Sequence, residues 1–350
     1  GSGNVWDVNG TANWNSQSAC FFNGDNVTFN DSGSAVPDIN VSVPVQPSSM
    51  TVTNTAQAYV FSGSGISLTG SLVKRGSNTL AFANDGNNFS GPISIEAGTL
   101  SIGNGGNAGS LGPGAITNNG ILMVNHPNAT VITLAAPISG TGSFQMAATD
   151  GSLGNNLINL SASNSYAGPT TVETNTAISI LNNTALGDSI SGTVVHAGGR
   201  VGFTALGIWT VAEPLEINGY GLSALPGALY ANTISNDITW TGPITVGSAS
   251  QIRLVNNNVK MTLGNTVIGS QTPLLCSAQD TGSIITFSNT FSLGNAAALT
   301  KDGLGTLVLA GATNLCSSAT NNGGTLLILT TNTPQIGDVT VNSGTLQLGS

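Results

Sequence analysis

The chain has 350 residues, of which only 6% are charged, and a net charge of −9 from 6 basic and 15 acidic side chains. An ordinary soluble domain has about 25% charged residues, so Gly, Ser, Thr and Asn must fill much of this surface. The few, scattered basic residues argue against nucleic acid or an anionic membrane as a partner, and 47 glycines with little Glu, Lys or Arg disfavour helices.

Two further features bound the class of protein. No apolar run is long enough to span a bilayer as a helix, and the first residues lack the basic and apolar regions of a signal peptide. The three cysteines, Cys20, Cys276 and Cys316, include no C-x-x-C pair, which excludes zinc-ribbon and thioredoxin-type motifs. We therefore expect no metal and no other cofactor.

Residues 1–65 differ from the rest of the chain because they concentrate its aromatic side chains. An exposed end of a repeat array leaves apolar surface and unpaired backbone groups, which bulky side chains and irregular turns can close. We predict that this segment is an N-terminal capping β region. Its aromatic residues are Trp6, Trp14, Phe21, Phe22 and Phe29.

From residue 66 onward, a pattern of glycine, any residue, apolar, any residue, apolar recurs, most often every 19 to 23 residues. A period of this length is typical of a solenoid, in which each repeat is one coil. Alternate side chains of a strand point to one face, so the first apolar position is expected to be buried. The predicted core ladder is Leu80, Leu100, Leu122, Phe144, Ile178, Val201, Leu229, Ile252, Ile284, Leu307, Leu326 and Leu346.

The row that contains Ile284 fits this ladder least well. Its next inward position is the polar Thr286, and a shift by one residue to Ile285 and Phe287 restores an apolar pair. A further strand precedes the glycine in several coils, as between Pro92 and Glu96. We predict an all-β fold, a single-stranded right-handed parallel β-helix (β-solenoid) of roughly fifteen coils over residues 66–350.

Four runs carry a family resemblance: NNFSGPISIEAGTLSIG from Asn87, NSYAGPTTVE from Asn164, LTKDGLGTLVLAGATN from Leu299 and DVTVNSGTLQLG from Asp338. They resemble autotransporter-associated β-strand repeats, also called passenger-associated transport repeats. The resemblance implies a right-handed parallel β-helix displayed outside the cell by outer-membraned bacteria. Several coils lack the family's Gly-Thr-Leu, and no translocator barrel follows Ser350, which leaves the export route open.

Some polysaccharide-cleaving enzymes also have the parallel β-helix fold, and their chemistry requires clustered carboxylates. Asp280 and Asp302 lie about one coil apart, with Lys301 beside the second. The simpler interpretation is that all three are solvated turn residues, because charged side chains are mostly exposed. Glu213 and Glu216 flank Pro214 without a basic neighbour.

The two histidines, His126 and His196, have no cysteine or acidic residue at ligand spacing. No strand position repeats Thr from coil to coil, as an ice- or sugar-binding column would require. Neither feature predicts a metal site or a regular binding face. We expect the chain not to be an enzyme.

The expected function is that of an extracellular or cell-surface structural or adhesive protein, a non-catalytic stiff rod, stalk or head-to-tail fibre subunit. The last coil, from Asp338, matches the repeat well and has no cap after it, so its edge is expected to pair with a second copy, with further coils or with an outer-membrane barrel. Cell-surface glycans are a further expected partner. The alternative is a carbohydrate-binding or polysaccharide-cleaving protein on the same scaffold.

Overall fold

The computed structural model describes residues 4–14, 19–32, 37–126, 131–147, 156–329 and 335–349. Within these residues all regular structure is β-strand, and the fold is a parallel β-solenoid of about 14 turns. The described part of the chain contains no helix that could cross a membrane. The chain forms two compact units: unit 1 is Gly1–Asn156 with Ala162–Pro169, and unit 2 is Leu157–Ser161 with Thr170–Ser350.

Unit 1 contains strands of two to five residues that are separated by turns. Short strands are expected here because glycine and asparagine recur at the corners, where the backbone must turn. The strands are β1 (Val5–Trp6), β2 (Asn26–Asn30), β3 (Asp38–Val41), β4 (Ser49–Thr53), β5 (Tyr59–Gly63), β6 (Ser67–Leu68), β7 (Leu72–Arg75), β8 (Thr79–Phe82), β9 (Asn88–Phe89), β10 (Ile93–Ile95), β11 (Thr99–Ile102), β12 (Ile116–Asn118), β13 (Ile121–Asn125), β14 (Val131–Leu134), β15 (Ile138–Ser139) and β16 (Ser143–Ala147).

These strands stack in parallel on successive coils. Stack 1a contains β1, β3, β5, β8, β11, β13 and β16, and stack 1b contains β2, β4, β7, β10, β12 and β15, while β6 and β9 pair with each other. In stack 1a the register places Leu80, Leu100, Leu122 and Phe144 directly above one another, and all four are buried. Burial of each such side chain stabilises the fold by about 1.5–3 kcal/mol before entropy is subtracted.

The aromatic side chains of the first 65 residues form a cluster around Trp6. Its ring lies 5.3 Å from that of Phe21 and 5.7 Å from that of Trp14, both edge-on. Trp6 and Phe21 are buried, whereas Phe22 is half exposed. The strands of this segment already stack in register with later coils, since β4 pairs with β7 and β5 with β8.

Unit 2 contains the longest strands of the chain, because some of its strands continue around a corner. Its strands are β17 (Asn156–Leu160), β18 (Thr170–Val172), β19 (Thr176–Ile180), β20 (Thr193–Val195), β21 (Arg200–Phe203), β22 (Ile208–Val211), β23 (Leu215–Gly219), β24 (Leu229–Ala231), β25 (Asp237–Trp240), β26 (Ile244–Leu254), β27 (Lys260–Leu263), β28 (Val267–Gly269), β29 (Leu274–Ala278), β30 (Ile284–Phe287), β31 (Phe291–Ser292), β32 (Ala298–Asp302), β33 (Thr306–Leu309), β34 (Asn314–Leu329) and β35 (Gln335–Gly349).

Three stacks make up unit 2. Stack 2a contains β18, β20, β23, the first part of β26, β28 and β31; stack 2b contains β17, β19, β21, β24, the last part of β26, β29 and β32; and stack 2c contains β22, β25, β27, β30 and β33. The long strands β34 and β35 extend all three stacks.

The predicted ladder does not run as one column through unit 2. The column of Val201, Leu229 and Ile252 in stack 2b continues to Cys276 and then Lys301. Leu307 and Leu326 instead belong to stack 2c, below Ile285. Ile284 is half-buried and Ile285 is fully buried, as the shifted register requires.

The physical reason is the long interval between Ser250 and Gly282. It holds a complete extra strand, β29, in addition to β27 and β28, so the motif re-enters the coil at a different corner. Among the remaining ladder residues, Ile178 is buried and Leu346, on β35, is half-buried. All three cysteines are free thiols, and Cys276 and Cys316 are buried.

Candidate functional site

The interior of the solenoid holds two lysines at equivalent corners. Lys74 lies on β7 in phase with Leu72, so its side chain points inward, and it is fully buried. Its ammonium donates hydrogen bonds to the carbonyl oxygens of Arg75 (2.9 Å), Gly76 (2.7 Å) and Ala97 (3.2 Å). The last of these belongs to the next coil, so the side chain ties two coils together.

Lys301 makes the same arrangement in unit 2. It is fully buried on β32, and its ammonium donates to the carbonyl oxygens of Asp302 (3.1 Å), Gly303 and Gly323 (2.7 Å). Three acceptors match the three donors of an ammonium group. We call these two arrangements the lysine corners.

In the lysine corners, backbone carbonyls take the place of water as hydrogen-bond acceptors for the buried ammonium groups. Burial lowers the pKa of each lysine to about 8, and Asp302 and Cys276 oppose this shift at Lys301. Neither lysine has a carboxylate in salt-bridge contact among the described residues. The lysines supply donors to corner carbonyls such as those of Gly76 and Gly323, and an unpaired buried carbonyl costs free energy.

Buried asparagines occupy the same columns as the lysines. Asn321 is the register partner of Lys301, and its amide donates to the Thr345 carbonyl (3.0 Å) while its oxygen accepts from the Gly323 N–H (3.2 Å). In stack 1b, Asn118 bonds the Ser143 carbonyl and the Gly120 N–H in the same way. Inward polar side chains thus satisfy backbone groups where the strand turns.

The candidate acid–base cluster of Asp280, Lys301 and Asp302 has a different arrangement from an enzyme centre. The ammonium of Lys301 is engaged by three carbonyls, and Cys276 and Asn321 are its neighbours in the column. Asp280, in the bend after β29, and Asp302, the last residue of β32, are half-buried. Lys301 is therefore not available to a substrate.

Glu213 and Glu216 are not brought together on one face. Glu213 is buried and accepts a hydrogen bond from the Thr193 hydroxyl (3.1 Å), whereas Glu216 is half-buried and accepts from the amide of Asn218. Burial raises the pKa of Glu213 to about 8; the Thr193 hydrogen bond opposes this and nearby Asp188 adds to it. Glu213 is thus neutral over much of the ordinary pH range.

The two histidines lie in different environments. His126 is buried, and burial lowers its pKa, while His196 is partly exposed and lies 3.8 Å from Glu173. Among the residues that the structure describes, no three histidine, cysteine or acidic side chains are close enough to hold a metal ion.

A surface groove of about 590 Å³ lies at the corner between stacks 2b and 2c. Its aliphatic side chains Leu206 and Ile234 are 68% and 59% exposed, and the Oδ1 atom of Asn232 is buried without a hydrogen-bond partner among the described residues. No charged residue lines it. The lining residues are Thr204, Leu206, Asn232, Thr233, Ile234, Ser235 and Asn256.

The lysine corners were not predicted from the sequence, because Lys301 was interpreted there as a solvated turn residue and Lys74 was assigned no role. The available signal was strand phase, since both occur as Leu-x-Lys-x-Gly, with lysine two positions after a core leucine. Alternation therefore points the side chain inward. The groove left no such signal because its residues come from three separate loops.

Comparison with known proteins agrees with this geometry. A family model described as passenger-associated-transport-repeat matches residues 72–102, 158–174 and 299–328. Searches of the curated proteins and of the solved structures returned no match. The first and third matched segments each contain one lysine corner and the strands on both sides of it. Three segments of the chain therefore match the passenger-associated-transport-repeat family, and these segments belong to coils of a parallel β-solenoid.

Proposed function

We propose that this chain is a surface-displayed passenger segment with a non-catalytic structural or adhesive role. The observation that carries the proposal is that two of the three matched segments coincide with coils whose corners hold a buried lysine. The repeat family is associated with transport of passengers to the cell surface. Each coil buries aliphatic side chains and pairs along its backbone with its neighbours, so the fold needs no disulfide or metal.

Surface display can be tested by fusing the chain to the translocator barrel of an outer-membraned bacterium. Protease added to intact cells is expected to release fragments of the chain, and a Leu307→Asp fusion is the matched control for a disrupted coil. A chain that stays protected, while another passenger on the same barrel is cleaved, would contradict the proposal.

The non-catalytic part is tested separately with purified protein and acidic polysaccharides. A lyase would generate an unsaturated product that absorbs in the ultraviolet, and we expect no such absorbance. Product formation that is abolished by Asp280→Ala, but not by Lys260→Met, would overturn the structural role in favour of catalysis.

A second candidate function, binding of a neutral saccharide, is favoured by the groove of stacks 2b and 2c. Asn232, Thr233 and Ser235 supply hydrogen-bonding groups beside exposed aliphatic side chains, without any charge. Titration with neutral oligosaccharides tests it, with Asn232→Ala expected to weaken binding about tenfold. Asn265→Ala, outside the groove, is the control, and equal affinities in the two variants would refute this site.

A further inference from the structure

Two arginines and a tyrosine lie on the outward side of stack 2b. Tyr230 on β24 is the register partner of Arg253 on β26 and, on its other side, of Gly202 on β21. Arg200 precedes Gly202 by two residues on the same strand, so its side chain leaves the sheet on the same side. Three neighbouring strands thus present Arg200, Tyr230 and Arg253 together.

Glycine at position 202 makes this packing possible. A Cβ atom there would lie 3.2 Å from the Cβ atom and 3.3 Å from the Cδ1 atom of Tyr230, so the tyrosine occupies the space that a side chain would fill. The Cζ atom of Arg200 lies 4.5 Å from the centre of the Tyr230 ring. This is a cation–π contact within the usual range.

A small hairpin, residues 220–227, lies against two of these side chains, Tyr230 and Arg253. Gly221 and Pro226 form an antiparallel bridge, and the Gly227 N–H donates to the Tyr220 carbonyl at 2.6 Å. A Cβ atom at Gly227 would lie 3.0 Å from the Cβ atom of Arg253 and 3.2 Å from the Cδ2 atom of Tyr230. The base of the hairpin therefore lies against Tyr230 and Arg253.

Neither arginine has an acidic partner among the residues that the structure describes. Arg200 is also only 3% exposed. The Nη1 atom of Arg200 and the Nε atom of Arg253 are buried without a hydrogen-bond partner among those residues. Arg75, by contrast, bonds Glu96 at 2.8 Å and 3.0 Å.

This arrangement is unusual in a chain with 15 acidic and 6 basic residues. Burial of a guanidinium without a compensating charge is unfavourable, and burial also lowers the pKa of Arg200. Arg253 is partly exposed, which gives the cluster a side that faces solvent. A ligand with a negative charge would supply both the missing charge and the missing acceptors.

We propose that Arg200 and Arg253, on either side of Tyr230, form a binding site for a small oxyanion, of which a carboxylate is the best match. Their strands are two spacings apart and Arg200 is offset by two residues from the position opposite Arg253, so their backbones are roughly 12 Å apart, within the combined reach of two arginine side chains. The two oxygens of a carboxylate match the paired donors of a guanidinium. The inference stands whether or not the chain is a passenger.

Calorimetric titration of the 350-residue chain with sodium glucuronate tests the site, with glucose as the uncharged sugar of the same size. We expect glucuronate to bind and glucose not to bind. Arg200→Met and Arg253→Met are each expected to weaken glucuronate at least tenfold. Lys260→Met removes an exposed positive charge elsewhere in unit 2 and should leave the affinity unchanged.

Thermal unfolding of the wild-type chain provides a second measurement in case Arg200→Met, which changes a buried side chain, folds poorly. Arg253→Met changes a partly exposed side chain and is expected to fold. Glucuronate and acetate should raise the melting temperature of the wild-type chain beyond the effect of sodium chloride at equal ionic strength. If acetate raises the melting temperature and glucuronate does not, the site is assigned to free carboxylates rather than to acidic sugars. A rise with acetate alone and a rise with both anions each support the anion site. Absence of any anion-specific effect, equal affinities in all three variants, or sulfate binding tenfold tighter than glucuronate would overturn the proposal.

Discussion

Lys74 and Lys301 show how an inward charge can be accommodated in a β-solenoid. Each ammonium donates hydrogen bonds to three carbonyl oxygens, one of which belongs to the following coil. The arrangement gives corner carbonyls a donor that a leucine at the same position would not supply. Its cost is desolvation of the ammonium, which is reflected in the lowered pKa of both side chains.

The lowered lysine pKa predicts a particular pH dependence of stability. The pKa of Lys74 falls from its ordinary value of 10.5 to about 8 in the folded chain. Between these values the unfolded chain binds more protons, so this lysine makes the free energy of unfolding rise as the pH increases; below the folded pKa its full desolvation cost is present.

Denaturant unfolding of the wild type and of Lys74→Met across this pH window measures the effect. The wild type is expected to gain stability relative to the variant as the pH rises, and Lys301→Met should behave alike. Lys260→Met, which alters an exposed lysine, should follow the wild-type curve. A wild-type advantage that does not change with pH would show that the lysines stay charged.

Leu307 allows a direct test of the corrected register in stack 2c. It is fully buried between Ile285 and Leu326, so Leu307→Asp would place a charge in the core and destabilise the chain by on the order of 4 kcal/mol or more. Val308 is its outward, half-buried neighbour, and Val308→Asp should cost about 1 kcal/mol or less. If the two variants have the same denaturation midpoint, Leu307 does not lie in the core.

At the scale of the strand and its corner, close stacking rather than chain flexibility decides where glycine is required. Gly76 and Gly86 have similar φ values, +78° and +76°. A Cβ atom at Gly76 would lie 2.2 Å from the Asn54 carbonyl oxygen, but at Gly86 the nearest atom is 3.9 Å away, at Gly65. At Gly86 a side chain would meet only the strain of a positive φ, whereas at Gly76 it would also collide with the backbone of the neighbouring coil.

Gly86→Ala is accordingly expected to cost about 1–2 kcal/mol, the strain of a left-handed alanine. Gly76→Ala must also move two coils apart at a lysine corner, and we expect a loss at least about 2 kcal/mol larger. Chemical denaturation of both variants measures the difference. Equal losses would mean that the coils relax around Gly76 without cost.

Sequence reasoning succeeds at this scale where one side chain's environment follows from strand alternation. Leu80, Leu100 and Leu122 have the spacing of one coil and lie in register. It fails between Ile252 and Ile285, because an extra strand changes the corner at which the motif returns, and a period alone does not count strands. The Arg200 cluster escaped notice because its contacts depend on a glycine opposite Tyr230 and on a separate hairpin.

At the scale of the whole molecule, β35 presents an exposed strand to association. Among the described strands it pairs only with β34, and its side chains Val339, Val341 and Leu348 are 37%, 42% and 67% exposed. An unpaired strand edge with apolar side chains is a template for further pairing. We expect the 350-residue chain to associate with itself through this strand as its concentration rises.

Sedimentation of the chain over a range of concentrations tests this association. Val341→Lys combined with Leu348→Lys should shift the equilibrium toward monomer, because charged residues on an edge strand oppose pairing. Val43→Lys alters a side chain that is 41% exposed in unit 1, and should leave the equilibrium as it is. A wild-type chain that sediments as a single monomer at high concentration would contradict this expectation.

The change of stack between Ile252 and Ile285 affects what unit 2 presents to its surroundings. Residues that follow the repeated glycine face outward from stack 2b in the earlier coils and from stack 2c in the later ones. Copies of the same motif are consequently displayed on different stacks of unit 2. An antibody raised against the motif at Leu307 is expected to bind a different stack of unit 2 from one raised against the motif at Leu229, so the two antibodies should bind the same unit without competing.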